Sequence, residues 1–280
     1  MQLRDGEFTL MQQMITHLCG VVLDDTKGYL VETRLGRIAR NAGCENFNEL
    51  YAKLRHGRDQ KLLDKVTDAI TTHETTWFRD GGPYDILENR LLPDLINARL
   101  RAGQKRLRIW SAACSTGQEP YSVGMILHEI LPDLPSWDIE ITASDISVGT
   151  VEKARKGVFS NLEMGRTARP AYMRKFFRPE GDGHRVIESV RKLVKFEERN
   201  LLMPFSMLGP FDLVFLRNVL IYFDNETRNS IVRRAAQIMV PRAYMISGGS
   251  ENLSDIGPEF LPEMVSGVPV YQPNRALLPK

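Results

Sequence analysis

Leu107-Arg108-Ile109-Trp110-Ser111-Ala112-Ala113-Cys114-Ser115-Thr116-Gly117-Gln118-Glu119-Pro120-Tyr121-Ser122 is the stretch on which the fold turns. Apolar residues alternate at Leu107 and Ile109, as in a short strand. A turn of small residues runs from Ala112 to Gly117, and an apolar helical run lies beyond Pro120. A strand, a tight small-residue turn and a helix suit a nucleotide cofactor. Small side chains let a ligand approach the backbone, and a helix start presents free N–H groups. An ordinary strand-to-helix turn has the same pattern. Only Gly117 stands where a dinucleotide fingerprint has three glycines, which argues against a nicotinamide dehydrogenase.

Working outward, apolar β-rich segments alternate with helical ones. The strand candidates are Leu107–Trp110, Ile139–Ala143, Leu193–Phe196, Phe211–Leu216 and Tyr244–Ser247. Helices are expected over about Tyr121 to Leu131 and Val148 to Lys156. Such alternation predicts a mostly parallel sheet covered on both faces. Pro262–Val265, Ser266-Gly267 and Val268–Tyr271 read as a hairpin, so an antiparallel pair is expected at one sheet edge. Arg178–His184 has turn chemistry and Arg185–Val190 alternates like a strand, giving either a small β insertion or a plain surface loop. Before about Thr71 no strand pattern appears. Helices are read at Phe8–Ile15, Tyr29–Asn41, Phe47–Leu54 and Lys61–Ile70. The expected fold is α/β: a Rossmann-like sheet with an antiparallel C-terminal hairpin and a small β insertion at about residues 176–198. A helical N-terminal domain (1–70) precedes the sheet domain (71–280).

Composition bounds the function. The 280 residues suffice for a full core, and 37 basic against 35 acidic residues leave a net charge of +2. That balance argues against a dominant nucleic-acid footprint. The three cysteines, Cys19, Cys44 and Cys114, form no CxxC, so buried reduced thiols are expected rather than a disulfide framework or a zinc site. With no apolar signal core and no run of membrane-spanning length, a cytoplasmic protein that does not insert in the membrane is expected.

Polar residues cluster where an α/β cofactor domain needs them, at the carboxyl ends of strands. Asp145, in Ala143-Ser144-Asp145-Ile146, lies about 28 residues beyond Gly117 and suits ribose hydroxyls, or else serves a helix start with Ser147. Asn200-Leu201-Leu202 follows the third strand. In Phe211–Phe223 the apolar run ends abruptly at Arg217 and Asn218; Arg217 is either a structural ion pair or a site residue. Thr71-Thr72-His73-Glu74-Thr75-Thr76-Trp77-Phe78-Arg79-Asp80 joins the two parts, either as a linker or as a segment folding over the cofactor.

Thr71–Arg79, Ser111–Ser122, Ala143–Ile146, Phe211–Phe223 and Gly248-Gly249-Ser250-Glu251-Asn252 together resemble the motifs of the chemotaxis receptor methyltransferases, the CheR family. The resemblance implies an S-adenosylmethionine-dependent enzyme that methylates glutamate side chains of chemoreceptors and releases S-adenosylhomocysteine. It implies cofactor contacts from His73, Thr75 and Arg79 at the junction, although the family often has Asn at the His73 position. Glu119 and Asp145 would hold the amino and ribose regions. Asn200 and Leu201 would flank the adenine, with Leu216 and Arg217 beside them. Arg79 and Tyr222 would face the transferable methyl and the incoming carboxylate.

The reaction suits those residue types. A glutamate carboxylate is ionised at neutral pH, so neither a base nor a metal is required. Arg34, Arg37 and Arg40, with Lys27 a heptad before Arg34, share a face distinct from the apolar Val31, Leu35, Ile38 and Ala42. This stripe is either a solvated face or a docking surface for the acidic methylation helices that the resemblance implies. In some members the β insertion grips a receptor C-terminal peptide through a longer Gly-rich loop. The shorter loop here leads us to expect recognition through the methylation helices, by a monomer. Two alternatives stand beside this reading: a methyltransferase of another substrate class, and a non-catalytic cofactor-binding adaptor.

Overall fold

The computed structural model describes residues 1–167, 169–251 and 258–278. The strands in chain order are β1 (Arg106–Ala112), β2 (Asp138–Asp145), β3 (Val158–Ser160), β4 (Phe177–Glu180), β5 (Gly183–Val186), β6 (Val194–Glu198), β7 (Phe211–Leu216), β8 (Met239–Ser247), β9 (Phe260–Val265) and β10 (Val268–Pro273). Seven of them form one sheet in the order β6-β2-β1-β7-β8-β10-β9. The five from β6 to β8 run parallel, and β10 and β9 are antiparallel. Ser266 and Gly267, both at positive φ, make the tight β9–β10 turn the hairpin requires.

Alternation along the central strands feeds two cores. Leu107, Ile109, Leu213 and Phe215 pack into the core that holds helix Gln118–Ile130. Trp110, Ala112, Val214 and Leu216 pack into the one that holds helix Asn225–Gln237. Successive strand side chains point to opposite faces, so both faces are covered and β7 is buried throughout.

The expected helical domain is present, with a core of its own built from residues such as Met11, Ile15, Val31, Leu35, Phe47, Leu50, Val66 and Ile70. Glu7 is fully buried there because its carboxylate accepts the backbone N–H of Arg4 (2.8 Å) and Asn48 (3.1 Å). Residues 28–41 are helical, with a π turn over Val31–Leu35. That turn shifts the register, so the buried stripe runs Val31, Leu35, Ala39, while Ile38 and Ala42 pack at its margin.

The small insertion is a sheet of order β3-β5-β4, and its extent corrects the expected 176–198. It begins earlier, because Val158–Ser160 supplies an edge strand. It also ends earlier, because Val194–Glu198 pairs with β2 in the main sheet. The strand-like reading of Arg185–Val190 holds only to Val186. Glu188–Arg191 is a helical turn whose Val190 is buried against Gly124. Trp77 lies edge-on to Phe159 (4.7 Å) and Phe177 (5.0 Å), pinning this sheet to the segment that carries Arg79. All three cysteines are buried and free.

Candidate functional site

The crevice opens at the carboxyl ends of β1 and β7, where the strand order reverses. A cleft of about 580 Å³ lies there, within the range of cofactor sites. Its walls come from the strand ends, from the junction Ile70–Thr75 with Arg79, and from the helical domain at Cys19 and Val21–Asp24. His73, Thr75, Arg79, Glu119, Asp145, Asn200, Leu201, Arg217 and Tyr222 all line it, as does Arg34. Leu216 does not: it is fully buried in the core beside helix Asn225–Gln237. Arg37 and Arg40 are exposed outside the cleft.

The Ala112–Gly117 turn is compact because Ala113, Ser115 and Gly117 take positive φ. At φ 94° any side chain is strained, and a Cβ on Gly117 would also crowd Ala154 (3.0 Å) and Phe196 (3.1 Å), so the turn favours glycine. Asp145, at the end of β2, accepts the backbone N–H of Ser115 (2.8 Å) and of Ser147 (3.0 Å). Ser147, not Asp145, caps helix Val148–Lys156. Asp145 therefore shapes the turn and lines the cleft, and the helix start is left to Ser147.

Glu119 accepts Ser111 Oγ (2.8 Å) and Arg217 Nη1 (3.1 Å). Burial pushes its carboxyl above the ordinary range, opposed by Arg217 and Ser111. Arg217 also donates to Asp80 Oδ2 (2.7 Å) and to the carbonyl of Arg79 (3.2 Å), with its guanidinium over the Tyr84 ring. The ion-pair reading of Arg217 therefore describes its contacts: it locks β7, the helix after β1 and the junction together. Burial, with Asp145 and Glu119 nearby, pushes the Cys114 thiol well up, so it is no nucleophile near neutrality.

Asn200 donates to the carbonyl of Leu18 (2.8 Å) and accepts from Leu202 N–H (2.9 Å), tying the sheet to the first helix, Glu7–Cys19. His73 is turned toward the end of helix Gln60–Ile70, with Nε2 3.0 Å from the carbonyl of Asp68 and 3.1 Å from Thr71 Oγ1. Arg34 donates to the carbonyls of Ile70 (3.0 Å) and Thr71 (3.4 Å), a cation at a helix C-terminus. Among the described residues the Arg79 side chain has one hydrogen bond, to the carbonyl of Glu74 (3.1 Å).

Two buried carboxylates beside a glycine-tight turn suit a ligand that presents hydroxyl and ammonium donors. They would repel a pyrophosphate. The residues present therefore fit an adenosyl amino acid. Sequence reasoning gave no role to Asp80 or Ser111 and missed the wall at Cys19 and Val21–Asp24. Ser111 lay inside the quoted stretch, but nothing local marks residues from another domain as cleft wall. The motif glutamate Glu251 was seen and given no role; Asn252 lies outside the described residues.

The model of the CheR methyltransferase all-alpha domain matches residues 6–71, and that of the CheR methyltransferase SAM binding domain matches residues 73–264. The chain is 38% identical over 264 residues to a chemotaxis protein methyltransferase of Vibrio parahaemolyticus, covering 93% of this chain and 94% of that protein. It is 38% identical over 261 residues to chemotaxis protein methyltransferase 1 of Pseudomonas aeruginosa, covering 91% and 93%. It is 34% identical over 263 residues to the chemotaxis protein methyltransferase of Escherichia coli, covering 92% and 88%. The chain therefore belongs to the CheR methyltransferase family.

Proposed function

We propose that this protein transfers the methyl group of S-adenosylmethionine to glutamate side-chain carboxylates of chemoreceptors, as in adaptation during chemotaxis. The products are glutamyl methyl esters and S-adenosylhomocysteine. The observation that carries this reading is the convergence of Glu119, Asp145, Arg79 and Tyr222 on one cleft beside the family's motifs.

When bound, the cofactor supplies a methyl group already activated on a sulfonium. Asp145 and Glu119 would hold its ribose and amino groups, and Asn200 and Leu201 would border the adenine. Arg79 and Tyr222 orient the incoming carboxylate. Alignment of two held reactants can lower a barrier by about 7–11 kcal/mol. The carboxylate loses charge as the ester forms, so an arginine that gripped it too strongly would hold the ground state back. A partly exposed Arg79 tethered by one carbonyl suits orientation without tight capture.

Asp145→Ala is expected to lower S-adenosylhomocysteine affinity by about 1.5–3 kcal/mol, the scale of hydrogen bonds to a charged group. Calorimetric titration checks this, and unchanged affinity removes Asp145 from the site.

We assign receptor docking to the basic face of residues 28–41 rather than to a peptide tether on the small sheet. Arg34 is committed to the Ile70 and Thr71 carbonyls, so exposed Arg37 and Arg40 carry the contact with an acidic helix. The test of both function and docking is transfer of labelled methyl into receptor-rich membranes, with the label released by alkali as methanol. Arg37→Glu combined with Arg40→Glu is expected to slow this transfer about tenfold or more at low salt, without changing cofactor affinity. The difference should shrink as salt rises, since exposed charges are screened over about 8–10 Å. Full activity of the double variant refutes docking on this face. Alkali-stable label refutes carboxylate methylation.

A further inference from the structure

Glu251 is a buried carboxylate that meets four backbone donors. Its Oε1 accepts the N–H of Val219 (2.8 Å) and Leu220 (2.7 Å), and its Oε2 accepts those of Asn218 (2.7 Å) and Gly248 (2.7 Å). Three of these donors are consecutive in the turn leaving β7, and the fourth follows β8. The turn needs such an anchor: Asn218 sits at φ 58°, and the three N–H groups point away from any strand or helix ladder. Gly248 is part of the same device. A Cβ there would stand 2.7 Å from Glu251 Oε2 and 2.7 Å from Asn218 Nδ2.

The anchored turn leads directly into the single helical turn Leu220–Tyr222, and Asn218, Val219, Ile221 and Tyr222 all line the cleft. On its far side the Tyr222 carbonyl accepts Val22 N–H (2.9 Å) from the helical domain. The Tyr222 ring is thus placed by backbone held at both ends, by Glu251 on one side and the Val22 segment on the other.

We propose that Glu251 is a positioning residue for methyl transfer, acting by fixing the turn that aims Tyr222 at the reacting carboxylate; this rests on the function proposed above. Only a carboxylate serves all four donors, since each oxygen takes two. A glutamine offers one accepting oxygen and would turn its own N–H groups on two of the four donors. An aspartate keeps the charge but lacks the reach.

The experiment compares wild type, Glu251→Gln, Glu251→Asp, Tyr222→Phe and the Glu251→Gln/Tyr222→Phe double variant. It measures kcat on receptor-rich membranes, S-adenosylhomocysteine affinity by calorimetry, and folding by circular dichroism. Glu251→Gln should lower kcat about tenfold, matching loss of the Tyr222 hydroxyl. S-adenosylhomocysteine affinity should stay within about threefold, because Asp145 stands at the end of β2 and Glu119 in the helix after β1, on elements other than the anchored turn. In the Tyr222→Phe background the same change should cost less than about threefold, whereas a merely structural role makes the losses multiply. Wild-type kcat in Glu251→Gln, or multiplied losses in the double variant, overturns the proposal. Failure of both the Gln and Asp variants to fold also overturns it, marking Glu251 as a folding residue. A wild-type protein inactive on the membranes refutes the proposed function instead.

Discussion

Arg217→Met is expected to destabilise the protein by about 3–5 kcal/mol, the usual consequence of removing one partner of a buried ion pair. For a chain of this size that lowers the melting temperature by on the order of 10 °C, read by thermal denaturation. The cause is less the lost attraction than what remains. Glu119 would be left buried with only Ser111 to solvate it, and the Arg79 carbonyl and Asp80 would lose a donor. Two checks separate this from generic core damage. Adding Glu119→Gln to Arg217→Met should recover part of the loss, because the orphaned charge is gone. The pH dependence has a defined sign. Without Arg217, burial pushes the Glu119 carboxyl further above its unfolded value of about 4.3. The folded variant then binds a proton at pH values where the unfolded chain has lost it. Its deficit relative to wild type should narrow as pH falls from neutrality toward the unfolded value. A deficit independent of pH and untouched by Glu119→Gln would refute this account.

The sheet was legible because its signals are local. A buried parallel strand such as Phe211–Leu216 is apolar throughout, and the Ser266-Gly267 turn between two short runs marks a hairpin. The polar residues that line the cleft at strand ends were legible for a related reason. Arg217 and Asp145 are polar groups at the edge of apolar runs, and the topology brings all strand ends of one polarity together. Leu216 shows the limit. It adjoins Arg217 in sequence, yet alternation turns its side chain into the opposite core. The boundaries of the insertion were illegible because β3 is three residues long and pairs with a partner far along the chain. The roles of Val22 and Leu18 depend on backbone groups, which carry no sequence signature. Glu251 falls between these cases: the motif could be read, but its partners are main-chain N–H groups of a distant turn.

Arg79→Ala is expected to lower kcat about 10²-fold, the scale on which misalignment of a held reactant costs rate. It should do so with little loss of stability, in contrast to Arg217→Met. The Arg79 carbonyl, which takes a bond from Arg217, survives the substitution, and the side chain gives up only its bond to the Glu74 carbonyl. Tyr222→Phe should cost about tenfold, since it removes one neutral donor where Arg79 contributes a charged one. Lysine at position 79 should restore little, because a point charge does not reproduce a planar fork against a carboxylate. The decisive measurement is single-turnover methyl transfer at saturating cofactor and receptor, alongside calorimetric titration of S-adenosylhomocysteine. A residue that orients the acceptor loses rate while product affinity holds within a few-fold. A residue that only holds the cofactor loses affinity and recovers its rate at saturation. Because the carboxylate is more negative before transfer than during it, any ground-state grip that Arg79 exerts works against the step. Loss of rate in Arg79→Ala would therefore report geometry rather than charge attraction. An unchanged saturating rate would place the carboxylate elsewhere in the cleft.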